Sequence, residues 1–66
     1  MSYRVRFFKH LVSSQGRQFK TLQGNFEPIE AKTAAEAEVI AEREFQRLRR
    51  IPAWQLHADT VEINSY

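Results

Sequence analysis

From Tyr3 to Val12 the chain alternates as an extended strand does, with Tyr3, Val5 and Phe7 of one parity and Arg4, Arg6, Phe8 and His10 of the other. Ser13-Ser14-Gln15-Gly16 reads as a turn, with Gly16 free to take the left-handed conformation that closes a hairpin. A second strand then runs from Gln18 to about Phe26. Pairing Val12 with Arg17 sets Phe7 opposite Leu22, Val5 opposite Gly24 and Tyr3 opposite Phe26, which gives one apolar face. A slip by one residue opposes Phe8 to Leu22 and Arg4 to Phe26, mixing charge into that face, so the first register is preferred. Leu11 and Phe19 pair better in the slipped register, which points to a bulge near the hairpin tip. Gly24 marks a close approach by a neighbour, and Pro28 places the second strand at a sheet edge.

The period then changes. Thr33-Ala34-Ala35-Glu36 is a capping box, and a run of strong helix formers follows to Arg49 or Arg50. Ala34, Ala37, Ile40, Ala41, Phe45 and Leu48 fall on one stripe of that helix, with Glu44 inside it between Ile40 and Leu48. The favoured partner for Glu44 is Arg47, one turn on. Pro52 ends the helix. In the remainder, Trp54, Leu56 and Ala58 share one parity while Val61 and Ile63 share the other. This break predicts a loop carrying Trp54 and Leu56 under the helix, followed by a strand over residues 58–64. Trp54 is expected to anchor that corner, its indole N–H bonded to a backbone carbonyl.

The order ββαβ, with a right-handed crossover, places the third strand beside the first. The expected fold is a single α+β domain over residues 1–66. Its three-stranded antiparallel or mixed sheet, in order 2-1-3, carries one helix on one face and leaves the other bare. A 66-residue chain hides only about 60% of its unfolded surface, and without cysteine neither disulfides nor a cysteine-ligated zinc can supplement the core. Dimerisation is the remaining common remedy.

Charge sharpens this picture. The net balance is only +2, yet all eight carboxylates lie from Glu27 onward, while Arg4, Arg6, Lys9, Arg17 and Lys20 stand ahead of them. Five of the eight aromatics share that basic stretch. The bare face is therefore expected to present Arg4, Arg6, Phe8 and His10 from the first strand, with Phe19, Thr21, Gln23 and Asn25 from the second. Binding is assigned to Arg4, Arg6, Phe8, His10, Phe19 and Gln23. Two occupants compete: a second copy of the chain covering the aromatic rings, or single-stranded RNA or DNA stacking on them with phosphates on the cations. The homodimer is preferred. Arginine stems shielding Phe8 and Phe19 are the plainer alternative.

Other chemistry finds little footing. His10, His57 and Asp59 could form a metal set, but Asp59 is better read as accepting hydrogen bonds at a turn. Arg47, Arg49 and Arg50 suit a helix C-terminus. There is no thiol, no H-E-x-x-H and no phosphate-binding glycine loop, so neither an enzyme nor a cofactor is expected. No segment nears the roughly 18 apolar residues of a membrane span, and no membrane partner is expected. The segments Tyr3-Arg4-Val5-Arg6-Phe7-Phe8-Lys9-His10-Leu11 and Ile51-Pro52-Ala53-Trp54-Gln55-Leu56-His57-Ala58-Asp59 resemble a group of short uncharacterised alphaproteobacterial proteins. The likeness spans nearly the whole chain. It implies a bacterial cytoplasmic protein and assigns no functional residue.

Overall fold

In the computed structural model, which describes all 66 residues, β1 (Ser2–Val12) and β2 (Gln18–Glu30) form a long hairpin. After it come α1 (Ala34–Arg49), a short 3-10 turn (Trp54–Leu56) and β3 (Thr60–Ser65). The sheet order is β2-β1-β3, and both pairings of β1 are antiparallel. The architecture is thus the expected α+β arrangement, its central strand carrying the core residues. Thr33 caps α1 by accepting the Glu36 N–H at 3.1 Å, so the capping signal marks the helix start correctly. No helix is long and apolar enough to cross a membrane.

The hairpin register differs from the expected one. Ser13 N–H donates to the Arg17 carbonyl at 2.8 Å, and Gly16 sits at φ 81°. The loop therefore has three residues, with glycine in the left-handed position, rather than four. Val12 consequently faces Gln18, Leu11 faces Phe19 and Phe8 faces Leu22. That is the slipped register, and it would carry Phe26 to the wrong face if it ran unbroken. A register shift between Phe7 and Phe8 prevents this: Gln23 is the extra residue, and Gly24, Asn25 and Phe26 then oppose Phe7, Arg6 and Val5. A second shift, spanning Glu27 and Pro28, brings Ile29 opposite Tyr3. The bulges lie mid-sheet and near the sheet's base, not at the tip, because their role is to return apolar side chains to the covered face.

Phe7 is the centre of the core. It is fully buried and stacks on Phe45 with centroids 4.5 Å apart, while Phe26 meets it edge-on at 5.8 Å and Trp54 lies at 5.7 Å. Ala37 and Ala41 are fully buried too, and their small side chains let α1 close on the sheet. The buried stripe is narrower than predicted: Ala37, Ala41 and Phe45 form it, whereas Ala34, Ile40 and Leu48 are exposed. One helix over a narrow sheet cannot cover so wide an apolar arc. Leu56 is exposed as well, and the third strand begins at Thr60 rather than 58.

β3 pairs only with Tyr3 to Phe8 of β1. The hairpin from about residue 9 to 21 therefore projects as a two-stranded arm. The molecule measures 43 × 26 × 15 Å, and its radius of gyration of 12.8 Å exceeds the value of about 11 Å for a compact chain of this length.

Candidate interaction surface

The uncovered face is built by alternate residues of all three strands. From β1 come Arg4, Arg6, Phe8 and His10, as the alternation predicts. The register places Lys20, Leu22 and Asn25 beside them from β2, and Thr60, Glu62 and Asn64 from β3. Phe19 and Thr21 lie on the opposite face, across from Leu11 and Lys9. This corrects the predicted site. Phe19 remains 48% exposed, but it is on the helix side of the arm, beyond the helix. Gln23 belongs to the bulge: its side-chain amide donates to Thr21 Oγ1 at 3.0 Å and its carbonyl accepts from Arg49 at 2.6 Å.

Phe8 is not a bare ring. Only 8% of it is exposed, although it stands outside the main core. Lys20 Nζ lies 4.4 Å from the ring centroid and the Arg6 guanidinium 5.6 Å, so two cations cover it. Both cations meet Glu62, Arg6 at 3.3 Å and Lys20 in direct contact. Arg4 approaches Glu27 at 3.7 Å, beyond hydrogen-bond range. The Nε atoms of Arg4 and Arg6 are covered and have no acceptor. At the margin, His10 Nε2 lies 3.1 Å from Thr60 Oγ1, and the His10 backbone N–H donates to Asp59 Oδ2 at 2.7 Å. Asp59 is thus a backbone acceptor, as preferred, and no group of three His, Cys, Asp or Glu residues converges on a metal position.

Glu62 is the residue of this face that sequence reasoning missed. Its signal was present: Val61 and Ile63 turn inward, so Glu62 must look outward. What the local charge split concealed was that a carboxylate from the far end of the chain lands among the early cations. Lys20, and then Arg6, hold the Glu62 carboxyl below the ordinary value of 4.5. Glu42 is displaced the other way, since partial burial and the neighbouring Glu38 raise it above that value. The Trp54 indole faces this carboxylate rather than a backbone carbonyl.

These shifts have opposite consequences for stability. The Glu62 contribution is fully present above the ordinary carboxylate value and is lost as pH falls through its depressed pKa. Glu42 works in reverse: its neutral form is favoured, and stability is lost as pH rises through its raised pKa. Thermal melts should therefore show Glu62→Gln lowering Tm at neutral pH and Glu42→Gln raising it. Both differences should fade in acid once these carboxyls are protonated in the folded and unfolded states alike. A Glu62→Gln deficit that persisted undiminished in strong acid would deny the ion-pair origin.

The remaining basic group is engaged locally. Arg47 makes two hydrogen bonds to Glu44, and Arg49 reaches the Gln23 carbonyl while lying 5.5 Å from the Phe45 ring centroid. Arg50 takes the left-handed C-cap position, φ 56°. Glu44 therefore has the partner expected of it and lies outside the core.

The fold and this surface define a ββαβ domain with one sheet face covered by a helix and the other by its own ion pairs. Compared with known proteins, the chain matches no family model, no curated protein and no solved structure. Any functional reading therefore rests on the geometry just described.

Proposed function

We propose that this chain is a small non-catalytic interaction module that associates with a second copy of itself through the uncovered sheet face. The observation that carries this reading is the exposed apolar pair on that face, Leu22 beside Phe8 and Val12 at the tip of the arm, 53% and 67% exposed. Around the tip of the arm is a concavity of about 360 Å³, lined by His10, Val12, Gln18 and Lys20 of this face together with Leu11 and Phe19 of the other. It offers room for an apolar side chain of the other copy. Charge agrees. Arg4, Arg6 and Lys20 share the face with Glu27 and Glu62, so the surface is nearly balanced and can complement itself about a two-fold axis. The loose Arg4–Glu27 approach leaves the Arg4 guanidinium without a hydrogen-bonded acceptor in its own chain, so it can pair across an interface.

Light scattering over a concentration series from about 10 µM to about 1 mM should show a monomer–dimer equilibrium. Leu22→Arg should weaken it at least about tenfold while leaving the circular dichroism spectrum intact, because Leu22 lies outside the core. A strict monomer throughout that range would end the proposal. Single-stranded RNA or DNA is the weaker occupant, since a polyphosphate would meet Glu62 at the centre of the face. Amide shifts over Arg4 to His10 on adding a short oligonucleotide, fading with salt, would reverse that preference.

A further inference from the structure

We infer that the outer edge of β2 in the arm, from Gln18 to Leu22, is a strand-addition site for an extended acidic segment of another protein. The inference concerns the edge of the sheet, whereas the proposed dimer uses its face, so either can fail without the other.

The backbone of the arm defines the site. Phe8 and His10 turn their backbone groups toward β3: the Phe8 carbonyl accepts from Asp59 N–H at 2.8 Å, and His10 N–H donates to the Asp59 carboxylate. Lys9 and Leu11 therefore turn theirs toward β2 and meet Thr21 and Phe19. By the same alternation Gln18, Lys20 and Leu22 direct their N–H and C=O groups outward, on the free side of an edge strand. Such a row is a ready template for another strand.

The neighbouring groups are occupied or missing, which bounds this stretch. Further along β2 the Gln23 bulge interrupts the row, Arg49 occupies the Gln23 carbonyl, and Pro28 has no N–H to offer. On the other edge of the arm, Asp59 takes the His10 N–H. Along β2 the open stretch is thus Gln18 to Leu22; the outer edge of β3 is unpaired as well, but it lies at the opposite edge of the sheet from the basic arm.

Charge selects the occupant. No carboxylate occurs before Glu27, and the arm carries Lys9, Arg17 and Lys20, of which only Lys20 has an acidic partner, Glu62. A second copy pairing here would bring two sets of the same cations onto one ribbon, an unfavourable juxtaposition. A strand alternating carboxylates with apolar residues fits instead. Its acids would lie on the face of Arg17, which no carboxylate meets, and its apolar side chains beside the exposed Leu22 on the other face.

The test uses the whole chain labelled with nitrogen-15 and an end-capped peptide of about six residues alternating glutamate with valine. Hydrogen exchange of the Gln18, Lys20 and Leu22 amides should slow about tenfold on saturation, with chemical-shift changes confined to residues 17–22. The same peptide N-methylated at alternate residues cannot extend the ladder on that side and should bind at least about tenfold more weakly. A lysine–valine peptide should lose a similar factor, and Arg17→Ser should weaken the glutamate peptide about threefold. No binding of the glutamate peptide overturns the inference, as does equal binding by the N-methylated or lysine peptide. Protection of these amides that rises with protein concentration alone also overturns it, because a second copy would then hold the edge.

Discussion

Phe7→Ala should leave this protein substantially unfolded at 25 °C. The ring is completely buried, stacked on Phe45 and flanked by Phe26 and Trp54, so its removal empties the centre of an aromatic cluster rather than trimming its margin. Truncating a buried phenylalanine costs about 3–5 kcal/mol through lost transfer energy and the cavity left behind. A domain of this length holds only about 3–10 kcal/mol in total. The flat stack on Phe45 also limits relaxation, because the helix cannot approach further without driving Ala37 and Ala41 into the sheet. Urea unfolding followed by circular dichroism should show the folded baseline of Phe7→Ala shortened or lost. Phe7→Leu should retain a cooperative transition at a lower midpoint. A loss below about 1 kcal/mol for the alanine variant would mean that the centre of the core lies elsewhere.

Gly24→Ala should have the next largest effect, although it adds a single methyl group. A Cβ at this position would stand 2.9 Å from Phe45 Cδ1 and 3.0 Å from both Phe45 Cε1 and Phe26 Cε2. These are ring atoms inside the core, and Phe45 has little room to shift because it is stacked on Phe7 at 4.5 Å and is itself 1% exposed. Overpacking of this kind costs about 1–3 kcal/mol. The cause can be isolated with a double-mutant cycle. Combined with Phe45→Leu, the glycine substitution should cost clearly less than it does alone, as expected for residues in direct contact. Strict additivity would remove the steric explanation. Gly16 is the contrast: space around it is open, and its requirement is the positive φ that sets the loop length.

These two glycines show how differently parts of the structure can be inferred. Gly24 announces a close approach in a strand where every neighbour has a side chain, and the approaching group is the Phe45 ring. Gly16 announces a turn, yet a loop of three or of four residues is equally compatible with a glycine at its end. That small choice moves every side chain of the distal β2 to the other face. It sends Phe19 away from Phe8 and puts Lys20 and Leu22 in its place. The helix behaves similarly. Its start is written in Thr33 and Glu36, but how far its apolar stripe is covered depends on the width of the sheet beneath it, and Ile40 and Leu48 fall outside.

What the chain determines by itself is therefore local: the two long strands, the helix with its N-cap, the third strand to within two residues, and the order 2-1-3 that crossover handedness imposes. Periodicity and capping act over a few residues, and a sequence displays them directly. The tertiary structure alone decided which residues face each other across those elements. The bulges at Gln23 and at Glu27-Pro28 exist because Phe26 and Ile29 must return to the core, a demand set by the whole assembly. Glu62 meets Lys20 for the same reason, since a partner 42 positions away leaves no local trace in the chain. Charges counted along a sequence are summed in one dimension, whereas fields and contacts are summed in three.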